Sequence, residues 1–253
     1  MNEASKRSMS NARLCCFAND GMSKAQSLLV ESALNWGFDA DKIFAYKKVG
    51  HVWEGFDSDF LNIAAPILEE ERGCGYWAWK PYIIYKTMQD AKFGEWIVYL
   101  DSGIEIVNDL SNLIKDKEDF VLFNNEWNHM DWCKMDVMSR MLLPNFYDRE
   151  MKQLQASAIF IKKNEYTESV VRKWLNCCLD KKMIDDSPSV EPNVDTFREH
   201  RHDQAILTNA VMYDCIPTLT WDNYITYDRN NTGAKIPDSP ILFWHHRKRN
   251  NEF

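Results

Sequence analysis

Four short segments concentrate the residues able to do chemistry. Tyr99-Leu100-Asp101-Ser102-Gly103 places a carboxylate directly after an apolar run. In open α/β sheets ligands collect beyond the carboxyl ends of the strands. An Asp there can hold a divalent cation, and Gly103 lets a bulky ligand approach the backbone. The same Asp-Ser-Gly is equally a good turn. Arg201-His202-Asp203-Gln204 sets polar groups just before Ala205-Ile206-Leu207, where an acid also suits the positive end of a helix. In Arg72-Gly73-Cys74-Gly75-Tyr76-Trp77-Ala78-Trp79-Lys80-Pro81, glycines and aromatics precede a lone cation just ahead of a helix start. Lys80 can meet a phosphate there with help from the helix amino end; the alternative is a core plug of aromatics with Lys80 solvated. Trp244-His245-His246-Arg247-Lys248-Arg249 supplies two imidazoles and three cations. They suit a metal ligand and a grip on a diphosphate, or a plain solvated basic end.

The elements that must position these segments follow from hydrophobic pattern. Residues 14–18 read as a buried strand closed by Asn19-Asp20-Gly21. Ser23 and Gln26 have the spacing of a capping box, and Ala25, Leu28, Leu29, Ala33 and Trp36 follow at helical spacing. A second strand spans 42–46, and strand-helix-strand opens an α/β sheet. Residues 51–72 have less regularity. Pro81 fits a helix start, with Ile83, Ile84, Thr87 and Met88 as its inner stripe. Residues 96–100 read as a strand covered on both faces, with further strands at 120–123 and 158–161. Val170, Val171, Trp174, Leu175 and Cys178 mark a helix over 167–179; 184–195 is an exposed loop, and a last helix runs from His202 to Met212. No repeat or linker divides the chain. A flexible tail over 1–12 and one domain over 13–253 are expected.

Composition narrows the classes. At 253 residues, 45% hydrophobic and 27% charged, the chain is neither disordered nor fibrous. Thirty Lys and Arg against 38 Asp and Glu leave a formal charge of −8, which disfavours a nucleic-acid partner. Ten Trp suit a site that stacks flat apolar faces. Seven Cys without a CxxC cannot form a complete disulfide set, so reduced thiols and a cytoplasmic location are expected. With a polar amino end and a first apolar run too short for a signal segment, none is expected, and no apolar run is long enough to span a bilayer.

Gly75-Tyr76-Trp77-Ala78-Trp79-Lys80-Pro81, Tyr99 to Gly103 and His200 to Gln204, with Trp132 to Asp136 and Gln153 to Ser157, resemble a family of GT-A-fold glycosyltransferases found in bacterial polysaccharide gene sets and large DNA viruses. The likeness runs from about Phe17 to Arg249. One segment departs from the pattern: such enzymes commonly carry Asp-x-Asp where this chain has Asp101-Ser102-Gly103. The resemblance implies a Rossmann-like α/β domain with a mixed, mostly parallel sheet. It implies transfer of a sugar from a nucleotide-diphosphate sugar, a UDP-sugar being expected, to a hydroxyl of a glycan or related acceptor, assisted by Mn²⁺ or Mg²⁺. Asp101, with His245 or His246, would ligate the cation. Lys80 and Arg247 would face the diphosphate, and Phe17, Ala18 and Asn19 would border the base. Tyr76, Trp79, Ser102 and Gly103 would complete the donor site, while Asp203 and Gln204 would sit at the reacting carbon. A metal-dependent phosphohydrolase and a non-catalytic carbohydrate-binding protein are the alternatives.

Overall fold

Residues 9–114, 118–141, 150–214, 216–236, 240–246 and 248–252 are described by a computed structural model of the chain. The first half runs β1 (Ala12–Asn19), α1 (Ser23–Asn35), β2 (Ile43–Val49), β3 (Val52–Glu54), α2 (Ser58–Leu68) and α3 (Trp79–Gln89). Then come β4 (Trp96–Leu100), β5 (Ile104–Ile106), β6 (Phe120–Asn128), α4 (Met135–Met141), β7 (Lys152–Lys162) and α5 (Glu165–Cys178). The chain ends with α6 (Lys181–Ile184), α7 (His202–Val211), β8 (Thr218–Thr220), β9 (Ile225–Thr226) and β10 (Phe243–His245). A seven-stranded sheet has the order β3-β2-β1-β4-β7-β6-β8, and β5-β10-β9 form a small second sheet.

Alternation along the strands decides the layers, because neighbouring side chains leave opposite faces. Cys15, Phe17, Ile97 and Tyr99 join one buried cluster with residues of α3, α5 and α7. Leu14, Cys16, Trp96, Val98 and Leu100 join another, with Leu29 and Ala33 of α1 and residues of the small sheet. The central strands are therefore covered on both sides, which is why β4 is wholly apolar.

The expected mostly parallel sheet is corrected to an evenly mixed one. β1 pairs in parallel with β2 and β4, as β6 does with β8, while β2–β3, β4–β7 and β6–β7 are antiparallel. Strand β7 runs against both neighbours, so β1, β4 and β6 all present their carboxyl ends on one edge.

Local expectations also need revision. Residues 9–12 are not tail: Met9 is fully buried and β1 begins at Ala12; residues 1–8 lie outside the described residues. Ser23 and Gln26 form no capping box, since Gln26 turns inward and donates to the Tyr46 carbonyl at 2.9 Å. Instead Asn250, from the far end of the chain, accepts from the Lys24 amide at 2.8 Å and donates to Ser23 Oγ. Helix α3 starts at Trp79, two residues before Pro81, where the missing N–H has no intrahelical partner in any case. The irregular stretch contains α2, whose buried Phe60, Ala64, Ile67 and Leu68 keep helical spacing despite Pro66. The six described cysteines are unbridged. Among the described residues no helix is long and apolar enough to cross a membrane.

Candidate active site

The carboxyl ends of β1 and β4 meet at one edge, and three chain segments converge on them. Helices α3 and α7 lie on the same face of the sheet, each packed against α5. Lys80 is in the first turn of α3, Asp203 in the first turn of α7, and Asp101 follows β4. From the opposite face, β10 pairs with β5 so that His245 stands beside Ile104, next to the Asp101 turn. The anchor of that strand is buried: Ile241 and Phe243 have no exposed surface and Leu242 is nearly covered.

The convergence makes one charged cluster. Lys80 Nζ lies 3.1 Å from Asp203 Oδ2 and 3.6 Å from Asp101 Oδ1, and donates to the Ala156 carbonyl at 3.1 Å. The Lys80 and Asp203 side chains are only 4% and 5% exposed, whereas Asp101 is 30% exposed. Burial alone would discharge the Lys80 ammonium, but the two carboxylates outweigh it and raise its pKa. The same contest divides the acids. Burial pushes Asp203 up to about 6, with Lys80 pulling it down and Asp101 pushing it further up. For Asp101 burial is outweighed by Lys80, by the Tyr99 hydroxyl donating at 2.5 Å and by nearby His245, so its carboxyl titrates below the usual range. One acid is thus held ionised while the other titrates near neutrality.

Strand β7 explains why the cluster sits here. Its pairing with β6 slips between Val121/Phe160 and Phe123/Gln155, leaving Ala156 out of regular register. Site residues satisfy the displaced peptide: Lys80 takes its carbonyl, and the Gln204 side-chain oxygen accepts its N–H at 3.3 Å. Gln204 also donates to Gln153 at 2.9 Å, so its amide fastens α7 to β7. Asp101 is tied to the same stretch through its N–H to the Ser157 carbonyl. An irregular strand with unmet backbone groups is thereby converted into a socket for charged side chains.

Above the cluster opens a cavity of about 830 Å³. Phe17, Ala18, Asn19, Trp79, Lys80, Asp101, Ser102, Gly103, Asp203, Gln204 and His245 all line it. Phe17 packs on Trp79 with ring centres 4.0 Å apart, and Ser102 Oγ donates to the Phe17 carbonyl, joining the ends of β1 and β4. Two expected residues do not reach the cavity. Tyr76 is buried against the His202 ring, and His246 accepts the Lys248 amide while packing edge-on to Trp244. Arg247 lies outside the described residues. Among the described residues no three His, Cys, Asp or Glu side chains gather as ligands for a metal ion.

The rim draws Arg72, Trp77, Arg201 and Arg249 from three of the four segments, and Trp127 from outside them. Gly73, Cys74, Gly75, Tyr76 and Trp77 all have positive φ, a left-handed turn that bends the aromatic segment over the site. Such a run is costly for the non-glycine members. A Cβ at Gly75 would come within 2.9 Å of the Leu68 and Ile67 backbone, so that position admits nothing larger. The turn is held by Trp79 Nε1 donating to the Gly73 carbonyl. It brings Trp77 and Arg72 to the cavity wall, where Trp127, Arg201 and Arg249 complete the rim. Gly-x-Gly before aromatics was the available signal for the turn; nothing local marked Trp127, which depends on where β6 ends. Searched against models of known protein families and against curated proteins, the chain matches neither.

Proposed function

We propose that this protein transfers a sugar from a nucleotide-diphosphate sugar, a UDP-sugar being the expected donor, to a hydroxyl of a glycan or related acceptor, within a GT-A-like fold. The observation that carries this reading is the buried Lys80 between Asp101 and Asp203, at the floor of a cavity beyond the carboxyl ends of β1 and β4. Departure of a sugar from a diphosphate needs positive charge near the leaving oxygens and a proton acceptor near the incoming hydroxyl. Arg249 at the rim offers the first. Asp203, with its pKa near 6, is matched to the second or to holding the donor's hydroxyls. Gln204 positions Asp203 by fixing the first turn of α7 on β7. Phe17 and Trp79 offer apolar faces for the base beside Asn19.

The donor set fits a divalent cation that arrives with its own ligands. Asp101 and His245 are an oxygen and a nitrogen donor close to each other, and hard cations commonly take one or two protein ligands plus phosphates and water. Mn²⁺ or Mg²⁺ held there would neutralise charge on the departing diphosphate.

Calorimetry with UDP, UMP and uridine, with and without Mn²⁺, tests the reading. Diphosphate binding strengthened by Mn²⁺ and much weaker nucleoside binding are expected, together with UDP release from a UDP-sugar. Phosphate release from simple esters without nucleotide binding would point to a phosphohydrolase and overturn it.

A further inference from the structure

Strand β6 ends on the same edge as β1 and β4, two strands beyond β4 in the sheet order. At about 4.8 Å per strand, its carboxyl end stands roughly 14 Å from that of β1. The charged cluster lies between them. The register of β6 slips again between Asn124 and Asn128, and Glu126 adopts a left-handed φ of 59°. Asn124 and Asn125 side chains accept the Glu126 and Trp127 amides and stabilise this bend. Bulges of this kind re-aim a side chain, and here the residue delivered to the cavity rim is Trp127.

Trp127 differs from every other described tryptophan in being exposed, at 42%. It is nevertheless braced. Its ring stacks on Trp132 with centres 4.6 Å apart and planes 27° apart, and the Arg201 guanidinium lies 4.7 Å from the Trp132 ring and 5.3 Å from that of Trp127. The Arg201 amide donates to the Trp132 carbonyl at 2.9 Å, locking the two segments together. The two rim arginines are paired, Arg201 with Glu199 and Arg72 with Glu199 and Asp186, while Arg198 lies 5.5 Å from the Trp132 ring. An exposed indole held rigid from behind, beside charge-neutral pairs able to hydrogen-bond hydroxyls, suits an uncharged ring with one apolar face.

We propose that Trp127, braced by Trp132 and Arg201, is a stacking platform for a neutral pyranose of the acceptor. The assignment deepens the transferase reading and rests on it for the word acceptor. The donor would enter at the β1 end and the acceptor sugar at the β6 end, with Asp203 between them.

Saturation-transfer NMR and titration with lactose, cellobiose and maltose test the platform on the full chain. At least one should bind the wild-type protein and Trp127→Phe, and bind Trp127→Ala about tenfold more weakly, while UDP affinity is the same in all three proteins. Equal disaccharide binding by wild type and Trp127→Ala overturns the proposal, as does the absence of binding by all three sugars. Trp127-dependent sugar binding in a protein that does not bind UDP supports the platform and removes the transferase reading, so the two failures are distinguishable.

Discussion

Asp101 and Asp203 share one lysine and titrate in opposite directions. Both are close to Lys80, so the lysine alone cannot separate them. Surroundings do. Asp101 stands at a strand end, partly open to solvent, with the Tyr99 hydroxyl and His245 favouring its charge. Asp203 is buried in the first turn of α7, its main-chain carbonyl taken by Trp174 Nε1, and there burial dominates and Asp101 repels its charge. Where two carboxylates share a cation, the better solvated one keeps the charge, and the enclosed one becomes the group able to exchange a proton near neutral pH.

Removing the shared lysine should break the comparison altogether. Lys80→Met leaves two acids without their counter-ion and the Ala156 carbonyl without its donor. Loss of one partner from such a buried pair costs about 3–5 kcal/mol, and the melting temperature should fall by about 10 °C. Lys80→Met combined with Asp203→Asn should be less destabilised than Lys80→Met alone, because one orphaned acid is gone. Equal losses in the single and double variants would show that the acids do not depend on Lys80. Turnover should be abolished in both.

Replacing each acid by its amide sharpens the contrast. Asp203→Asn should lower turnover on the order of 10²-fold while leaving UDP affinity nearly intact. Asp101→Asn should mainly remove the response to Mn²⁺. Their effects on stability at neutral pH should have opposite signs. Asp101, with its pKa depressed, contributes stability above the ordinary carboxylate range, so its amide melts lower than wild type. Asp203, with its pKa raised, contributes stability only while protonated, so its amide melts at or above wild type. Melting curves with the signs reversed would invalidate the assignment of charge between them.

Much of this site was legible in the chain, residue by residue from type and placement, and as one site only through the resemblance. Lys80, Asp101 and Asp203 each stood at a recognisable boundary between a polar segment and an apolar element. Their mutual contact was not legible, because it depends on how α3 and α7 pack against the end of β4, and the Ala156 carbonyl that Lys80 also binds lies at a slip in β7 that no local pattern announces. For that reason Lys80 reads in sequence as a free phosphate ligand and in the structure as a buried partner of two acids. The long apolar runs mark β1, β4, β6 and β7, whereas the short β5, β9 and β10 leave too few residues for a pattern, and the mostly parallel direction implied by the resemblance is not something hydrophobic pattern can check. Trp127 was missed for the same reason as Ala156: a bulge, not a motif, brings it to the cavity.

The titration of Asp203 gives a smaller effect with a defined window. Its pKa rises from 3.8 to about 6 in the folded protein, so the folded state binds the extra proton between those values. Stability from this group is complete below the unfolded pKa and is lost as pH climbs through about 6. The gap between the melting temperatures of Asp203→Asn and wild type should therefore open over that interval and stay constant above it. A gap independent of pH would mean that folding leaves the pKa of Asp203 unchanged.

The smallest effect should come from Tyr99→Phe, which removes one hydroxyl and keeps the ring that packs beneath Lys80. That hydroxyl donates to Asp101 Oδ1 and helps hold the carboxylate ionised. Without it the pKa of Asp101 should rise, so the stability that this charge contributes begins to fall away at a higher pH as the solution is acidified. The hydrogen bond is to a charged group, so the loss at neutral pH should be about 1.5–3 kcal/mol at most. Asp203 makes no such contact with Tyr99, and the interval in which the Asp203→Asn gap opens should be unchanged in the Tyr99→Phe background. Melting temperature against pH for the two single variants and their combination separates the acids. If Tyr99→Phe moves the Asp203 interval as far as the acid limb of Asp101, the pair titrates as one unit and the distinction between an ionised acid and a titrating one is lost.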